Sequence, residues 1–208
     1  MAKVKICGLT REEDINIVNY YQPDYIGFVF AESKRKVTKE KAARLKRQLD
    51  TNIQAVGVFV NTPIQDILDL CNENIIDMIQ LHGNEKEDYI LELKNKLPHP
   101  IIKALRPDSK ENIEKSLTLP SDYLLVDTYI EGQFGGSGRT FDWSILPGKA
   151  EKIFLAGGLN AGNAEDAILT CRPYCLDVSS GVETDGLKDA LKVKAFIDIV
   201  RNVTQNIN

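Results

Sequence analysis

Short runs of β-branched and aromatic residues recur along the whole chain, with helix-like segments between them, and this alternation narrows the fold more than anything else in the sequence. The strand-like runs fall at 4–9, 25–30, 54–60, 78–82, 101–105, 123–127, 152–156 and 175–179. Helical segments are expected at 12–20, 39–48, 64–72, 85–94, 110–116, 162–169 and 187–200. Several carry entry signals: Thr38 before a charged amphipathic run, Pro63 in a first turn, and Asp108-Ser109 before another run. The sixth connection is glycine-rich, with only a short helix expected near Trp143. Repeated strand–helix units require parallel strands joined by right-handed crossovers. Eight such units close into an α/β (βα)8 TIM barrel; an open doubly wound sheet is the other solution. No linker or low-complexity stretch divides the 208 residues, so one domain is expected over 1–208.

Strand periodicity then sorts the side chains. Lys5 and Cys7 share one face of the first strand and Ile6 takes the other. Gln80 and His82 oppose Ile79 and Leu81; Asp127 opposes Val126; Asp177 and Ser179 oppose Leu176 and Val178. The apolar set suits packing against helices, which leaves the polar set inside the barrel. Those polar residues gather at the C-terminal strand ends, where barrels of this kind carry their active sites.

The net charge of −4 gives no reason to expect a nucleic-acid partner. No apolar stretch approaches the ~20 residues of a membrane span, and Met1 leads straight into a strand-like run. Cys7, Cys71, Cys171 and Cys175 lack zinc-site spacing, so free thiols in a reducing cytoplasm are expected.

Three kinds of segment carry possible chemistry. Cys7 ends the first strand, and Lys5 on its face would favour a thiolate. A free cysteine is more often a small buried hydrophobe. The loop at 132–141 is dense in glycine but lacks the Lys-Ser/Thr ending of a nucleotide loop. Gly157 and Gly158 follow the seventh strand, and Ser180 and Gly181 follow the eighth. Glycines let backbone N–H groups approach an anion, and barrels often build a phosphate site from these two connections. Arg35, in a basic run, and Arg106, after the fifth strand, are both suited to a substrate carboxylate. Each of these also has a plainer reading as a tight turn or a solvated loop.

In order, the motifs are KICGLT (5–10), GFVFAESKRKV (27–37), GVFVN (57–61), IQLHGNE (79–85), KALR (103–106), LLVDT (124–128), GGSGRTFDW (135–143), LAGGLN (155–160) and DVSSGVE (177–183). Together they resemble the phosphoribosylanthranilate isomerase family of tryptophan biosynthesis, from end to end of the chain. The resemblance implies an Amadori rearrangement of N-(5′-phosphoribosyl)anthranilate to 1-(2-carboxyphenylamino)-1-deoxyribulose 5-phosphate. It implies no metal or organic cofactor, a phosphorylated sugar–anthranilate as the small-molecule partner, and a monomer or homodimer. Carried over by residue, Cys7 is the general base and Asp127 the general acid. Arg35 holds the anthranilate carboxylate, His82 and Asp177 line the substrate site, and Gly157, Gly158, Ser180 and Gly181 hold the phosphate. Another sugar-phosphate barrel enzyme, or a catalytically silent barrel, is the competing reading. An unshifted thiol is only about 3% ionised at pH 7 and an unshifted aspartate only about 0.1% protonated. A site using both must therefore adjust one or the other, and Lys5 is the expected aid to the thiolate.

Overall fold

The computed structural model describes residues 2–106, 109–127, Trp143, Leu146 and 150–207. Eight parallel strands close into a barrel in chain order: β1 (Lys3–Cys7), β2 (Tyr25–Val29), β3 (Gln54–Phe59), β4 (Met78–Leu81), β5 (Ile101–Leu105), β6 (Tyr123–Asp127), β7 (Ala150–Ala156) and β8 (Pro173–Val178). The ring closes where β1 pairs with β8, Lys5 opposite Asp177. The helices are α1 (Glu12–Tyr21), α2 (Lys39–Lys46), α3 (Ile64–Asn72), α4 (Glu87–Lys96), α5 (Lys110–Ser116), α6 (Ala164–Cys171) and α7 (Ala190–Ile207). Among the described residues no helix is long and apolar enough to cross a membrane. The short helix expected near Trp143 and the glycine loop at 132–141 lie outside the described residues, apart from Trp143 itself, which is buried.

The two faces of each strand build two separate cores. Val4, Ile6, Ile26, Phe28, Ile79, Leu81, Val126, Ile153, Leu155, Leu176 and Val178 pack outward with the helices. Tyr25, Val56, Met78, Ile102, Leu125, Phe154 and Cys175 fill the barrel interior. Tyr25, Tyr123, Phe154 and Tyr174 stack at the N-terminal end of that interior, with ring centroids about 5 Å apart. The inside therefore passes from an aromatic floor through an aliphatic middle to a charged mouth.

The floor is closed by one device used three times. Asp24, Asp77 and Asp122 each stand immediately before an even-numbered strand. Each donates its backbone N–H to the carbonyl of a residue in the preceding strand: Val4, Ala55 and Ile101 respectively. Each carboxylate then accepts the N–H of that same residue, at 2.9, 2.7 and 2.8 Å. A lysine pairs with each carboxylate: Lys3, Lys46 and Lys94. The strand ends thus have satisfied backbone groups where no further ladder exists.

Several boundaries differ from those read in the sequence. β1 stops at Cys7 rather than running to Leu9, because Gly8 turns the chain with φ +84°. The N–H groups of Gly8 and Leu9 then both donate to the Gly27 carbonyl. β8 starts earlier, at Pro173, a position where a strand tolerates a residue without N–H. α4 begins two residues after Glu85, whose carboxylate is committed to the loop described below. The largest difference is at 187–188, expected as the start of the last helix. Instead β9 (Glu183–Thr184) and β10 (Leu187–Lys188) form an antiparallel hairpin. Its turn residues Asp185 and Gly186 have φ +52° and +77°, the conformation that Asp-Gly favours.

Candidate active site

Cys7 is the last residue of β1 and is only partly covered. Its register partner on β2 is Gly27. The Ser179 hydroxyl donates to the Cys7 carbonyl at 3.0 Å, tying the ends of β1 and β8 together. Burial pushes the Cys7 thiol above its ordinary pKa; Lys5 and Lys188 pull the other way and do not win. Lys5 does favour the thiolate, as expected, but burial outweighs it. The Lys5 charge also has a carboxylate partner.

That partner is Asp177. The Lys5 ammonium is fully buried and donates to Asp177 Oδ2 at 2.7 Å and to Gln80 Oε1 at 2.8 Å. Burial lowers the Lys5 pKa, but Asp177 and Cys7 together raise it on balance and hold the group charged. Breaking such a buried pair by removing one member costs about 3–5 kcal/mol. Gln80 passes the contact on: its Nε2 lies 2.9 Å from His82 Nδ1. His82 Nε2 in turn lies 3.5 Å from Asp127 Oδ2. A polar row thus crosses the barrel mouth from β8 through β1 and β4 to β6. It brings together Asp177, His82 and Asp127, three of the residues singled out in the sequence. Asp177 Oδ1 is buried and has no hydrogen-bond partner among the described residues.

Arg35 reaches the same mouth from the loop after β2. A tight turn presents it, with its N–H donating to Ser33 Oγ at 3.1 Å. Its guanidinium grips Glu183 with both arms, at 2.8 and 2.7 Å. Glu183 also accepts from the buried Lys188 at 2.6 Å, and Lys188 donates to the Ser179 carbonyl at 3.0 Å. Burial opposes ionisation of Glu183, yet its bonds to Arg35 and Lys188 keep its carboxyl below the ordinary pKa. Arg106, the other arginine weighed for a carboxylate, is exposed beyond β5.

Sequence reasoning missed Gln80 as a connector, and it missed Glu183 and Lys188. The Asp185-Gly186 dipeptide was the available sign of the hairpin that folds Lys188 back under the site. It also missed a polar knot at the ends of β3–β5. Lys103 donates to the Gly83 carbonyl at 2.7 Å and to Glu85 Oε2 at 2.9 Å. Glu85 accepts the N–H groups of Asn61 and Gly83. This knot fixes the chain just beyond His82.

The two candidate anion segments touch each other. Gly157 and Gly158 follow β7 with φ +93° and +66°, and the side of Gly158 where a side chain would stand is open. Ser180, exposed, starts a single helical turn after β8. Gly181 is needed for a different reason from the one expected. A β-carbon there would lie 1.9 Å from the Leu159 carbonyl oxygen, so glycine lets the two connections pack together.

Comparison with known proteins adds to this geometry. The family model described as N-(5′-phosphoribosyl)anthranilate (PRA) isomerase matches residues 4–199. A protein of Endomicrobium trichonymphae named N-(5′-phosphoribosyl)anthranilate isomerase is 48% identical over 203 residues, covering 98% of this chain and 100% of that one. A crystal structure of a phosphoribosyl anthranilate isomerase in complex with reduced 1-(o-carboxyphenylamino)-1-deoxyribulose 5-phosphate superposes with a TM-score of 0.84. It is 34% identical, covering 97% of this chain and 100% of that one. Monomers generated from the dimeric enzyme of Thermotoga maritima superpose with a TM-score of 0.83, also at 34% identity, with 97% and 100% covered.

Proposed function

This chain belongs to the N-(5′-phosphoribosyl)anthranilate isomerase family, and from that premise we propose that Cys7 is the base and Asp127 the acid of its reaction. The protein is the isomerase of tryptophan biosynthesis that converts N-(5′-phosphoribosyl)anthranilate to 1-(2-carboxyphenylamino)-1-deoxyribulose 5-phosphate. The observation that carries the site assignment is the polar mouth of the barrel. There Cys7 ends β1 and Asp127 ends β6, and β7 and β8 alone separate those strands on one side of the ring.

Two proton transfers suffice. The Asp127 carboxyl gives its proton to the furanose ring oxygen. The bond from that oxygen to C1′ breaks, and the anthranilate nitrogen lone pair forms the C1′=N bond of a protonated Schiff base. The Cys7 thiolate then takes the proton from C2′, and those electrons close a C1′=C2′ enolamine. Ketonisation moves a proton from the C2′ hydroxyl to C1′. One proton then returns from the thiol to the Asp127 carboxylate to reset the site. A thiol raised by burial is scarcely ionised at rest, but its thiolate is correspondingly the stronger base.

The remaining roles follow from donors and acceptors. Arg35, braced by Glu183, offers a cation to the anthranilate carboxylate. Asp177 Oδ1, His82 and the Asp127 carboxyl line the sugar. Gly157, Gly158, Ser180 and Gly181 form the phosphate end. Residues 1–208 act as one catalytic domain built on the single closed barrel. Four free thiols suit a reducing, cytoplasmic setting. The dimeric Thermotoga maritima relative makes a homodimer the first assembly to test. Complementation of a tryptophan auxotroph lacking this isomerase tests the whole reading. Growth on anthranilate is expected, and failure of a well-expressed protein to restore it would overturn the reading.

A further inference from the structure

The row Lys5–Gln80–His82–Asp127 contains its own chemical logic. A lysine ammonium only donates, so the Gln80 atom 2.8 Å from Lys5 Nζ must be the carbonyl oxygen. The reversed amide would set an NH2 group against an ammonium. With Oε1 turned to Lys5, the Gln80 NH2 faces His82 Nδ1 at 2.9 Å. An amide NH2 also only donates, so Nδ1 must accept, and a neutral imidazole whose Nδ1 accepts carries its proton on Nε2. That nitrogen is the one that faces Asp127 Oδ2 at 3.5 Å. Lys5 cannot rotate away without leaving Asp177, to which it is paired in full burial.

We propose that Gln80 is a positioning residue for the isomerisation: reading the fixed charge of Lys5, it holds His82 as the Nε2–H tautomer and so aims a donor at the Asp127 carboxyl. A donor there stabilises the carboxylate formed when Asp127 gives up its proton, which favours the acid step. An Nδ1–H imidazole would present a lone pair instead and would oppose that step. The catalytic half of this inference rests on Asp127 being the acid; the tautomer itself does not.

Nitrogen-15 NMR of the intact, substrate-free protein reads the tautomer directly. The chain has only two histidines, and a His99→Gln variant assigns the remaining signal to His82. The expected pattern at neutral pH is protonation at Nε2 with a bare Nδ1. Gln80→Glu presents an acceptor to Nδ1 and is expected to move protonation there. Gln80→Leu removes the constraint and is expected to give a mixture, which keeps the test alive if the charged variant does not fold. In kinetics, Gln80→Glu should lower kcat by about tenfold or more while KM changes by less than about threefold. An Nδ1–H wild type, or a tautomer unmoved in both variants, would overturn the relay. A moved tautomer with unchanged kcat would overturn its role in the reaction. Loss of turnover in the wild type would strike the isomerase reading instead, and the spectrum would still decide the tautomer.

Discussion

A β-carbon placed on Gly27 would lie 2.6 Å from the Cys7 sulfur, closer than any real contact of that kind. The thiol therefore occupies the space that a side chain on β2 would fill. Gly27→Ala is expected to rotate or displace the thiol and lower kcat by about tenfold or more. Product affinity, read by calorimetry, should change little. Unchanged kcat in a folded Gly27→Ala variant would show that the sulfur position is not critical.

Cys7→Ser keeps the shape and discards the acidity. It should fold, bind product and lose kcat by ~10² or more. The wild-type kcat/KM should also climb with pH beyond the usual thiol range, because burial raises the Cys7 pKa and leaves the thiol neutral at rest. The stability sign is the opposite. A thiol raised in the fold contributes stability below its unfolded pKa and loses it as pH rises. Cys71 and Cys171, both pushed by burial up to about 12, should add to the same alkaline loss. A pH profile flat above the thiol range would remove Cys7 as base.

Asp127→Asn preserves the outline of the carboxyl and its place beside His82, but it has no carboxylic proton to give. The expected loss in kcat is at least ~10², with a modest change in KM. Single-turnover kinetics should show the deficit in ring opening. Near-normal turnover would take the acid role away from Asp127.

Glu183 serves Arg35 and Lys188 together, so Glu183→Gln should act in two ways. It should raise KM for the anthranilate-bearing substrate by about tenfold as the guanidinium loses its bidentate anchor. It should also flatten the acid limb of stability. A carboxyl depressed in the fold contributes stability above its unfolded pKa, about 4.3, and loses it as pH falls through the folded value. Urea midpoints measured from neutral to acid pH should fall less steeply in the variant than in the wild type. Parallel curves would mean that Glu183 is not ionically engaged.

At Gly158 the structure leaves room for a side chain, and Asp and Asn tolerate its left-handed backbone. Gly158→Asp should therefore fold and repel the phosphate. One like-charge pair at ~4 Å and an effective dielectric near 20 costs about 4 kcal/mol, roughly a thousandfold in affinity. Gly158→Asn separates charge from bulk and should bind product far better than Gly158→Asp. Equal binding by the two would put the phosphate elsewhere. Gly181→Ala, by contrast, should lower the melting temperature outright, since its β-carbon has no room beside Leu159.

Periodicity alone carried much of this molecule. Hydrophobic residues two apart specify which face of a strand is wet. Lys5, Cys7, Gln80, Asp127 and Asp177 accordingly fall inside the barrel on sequence alone, and the eight strands are legible there too. Short-range chemistry carried the turns, although Asp185-Gly186 was passed over. The partnerships were decided elsewhere. Lys5 lies 172 residues from Asp177 and 75 from Gln80, and Arg35 lies 148 from Glu183. No local rule pairs residues so far apart. Ring closure sets β8 against β1, and only then does Lys5 pair with Asp177 while still acting on the Cys7 thiol. The pKa of that thiol depends on burial and on the sum of nearby charges, and both exist only once the chain is folded.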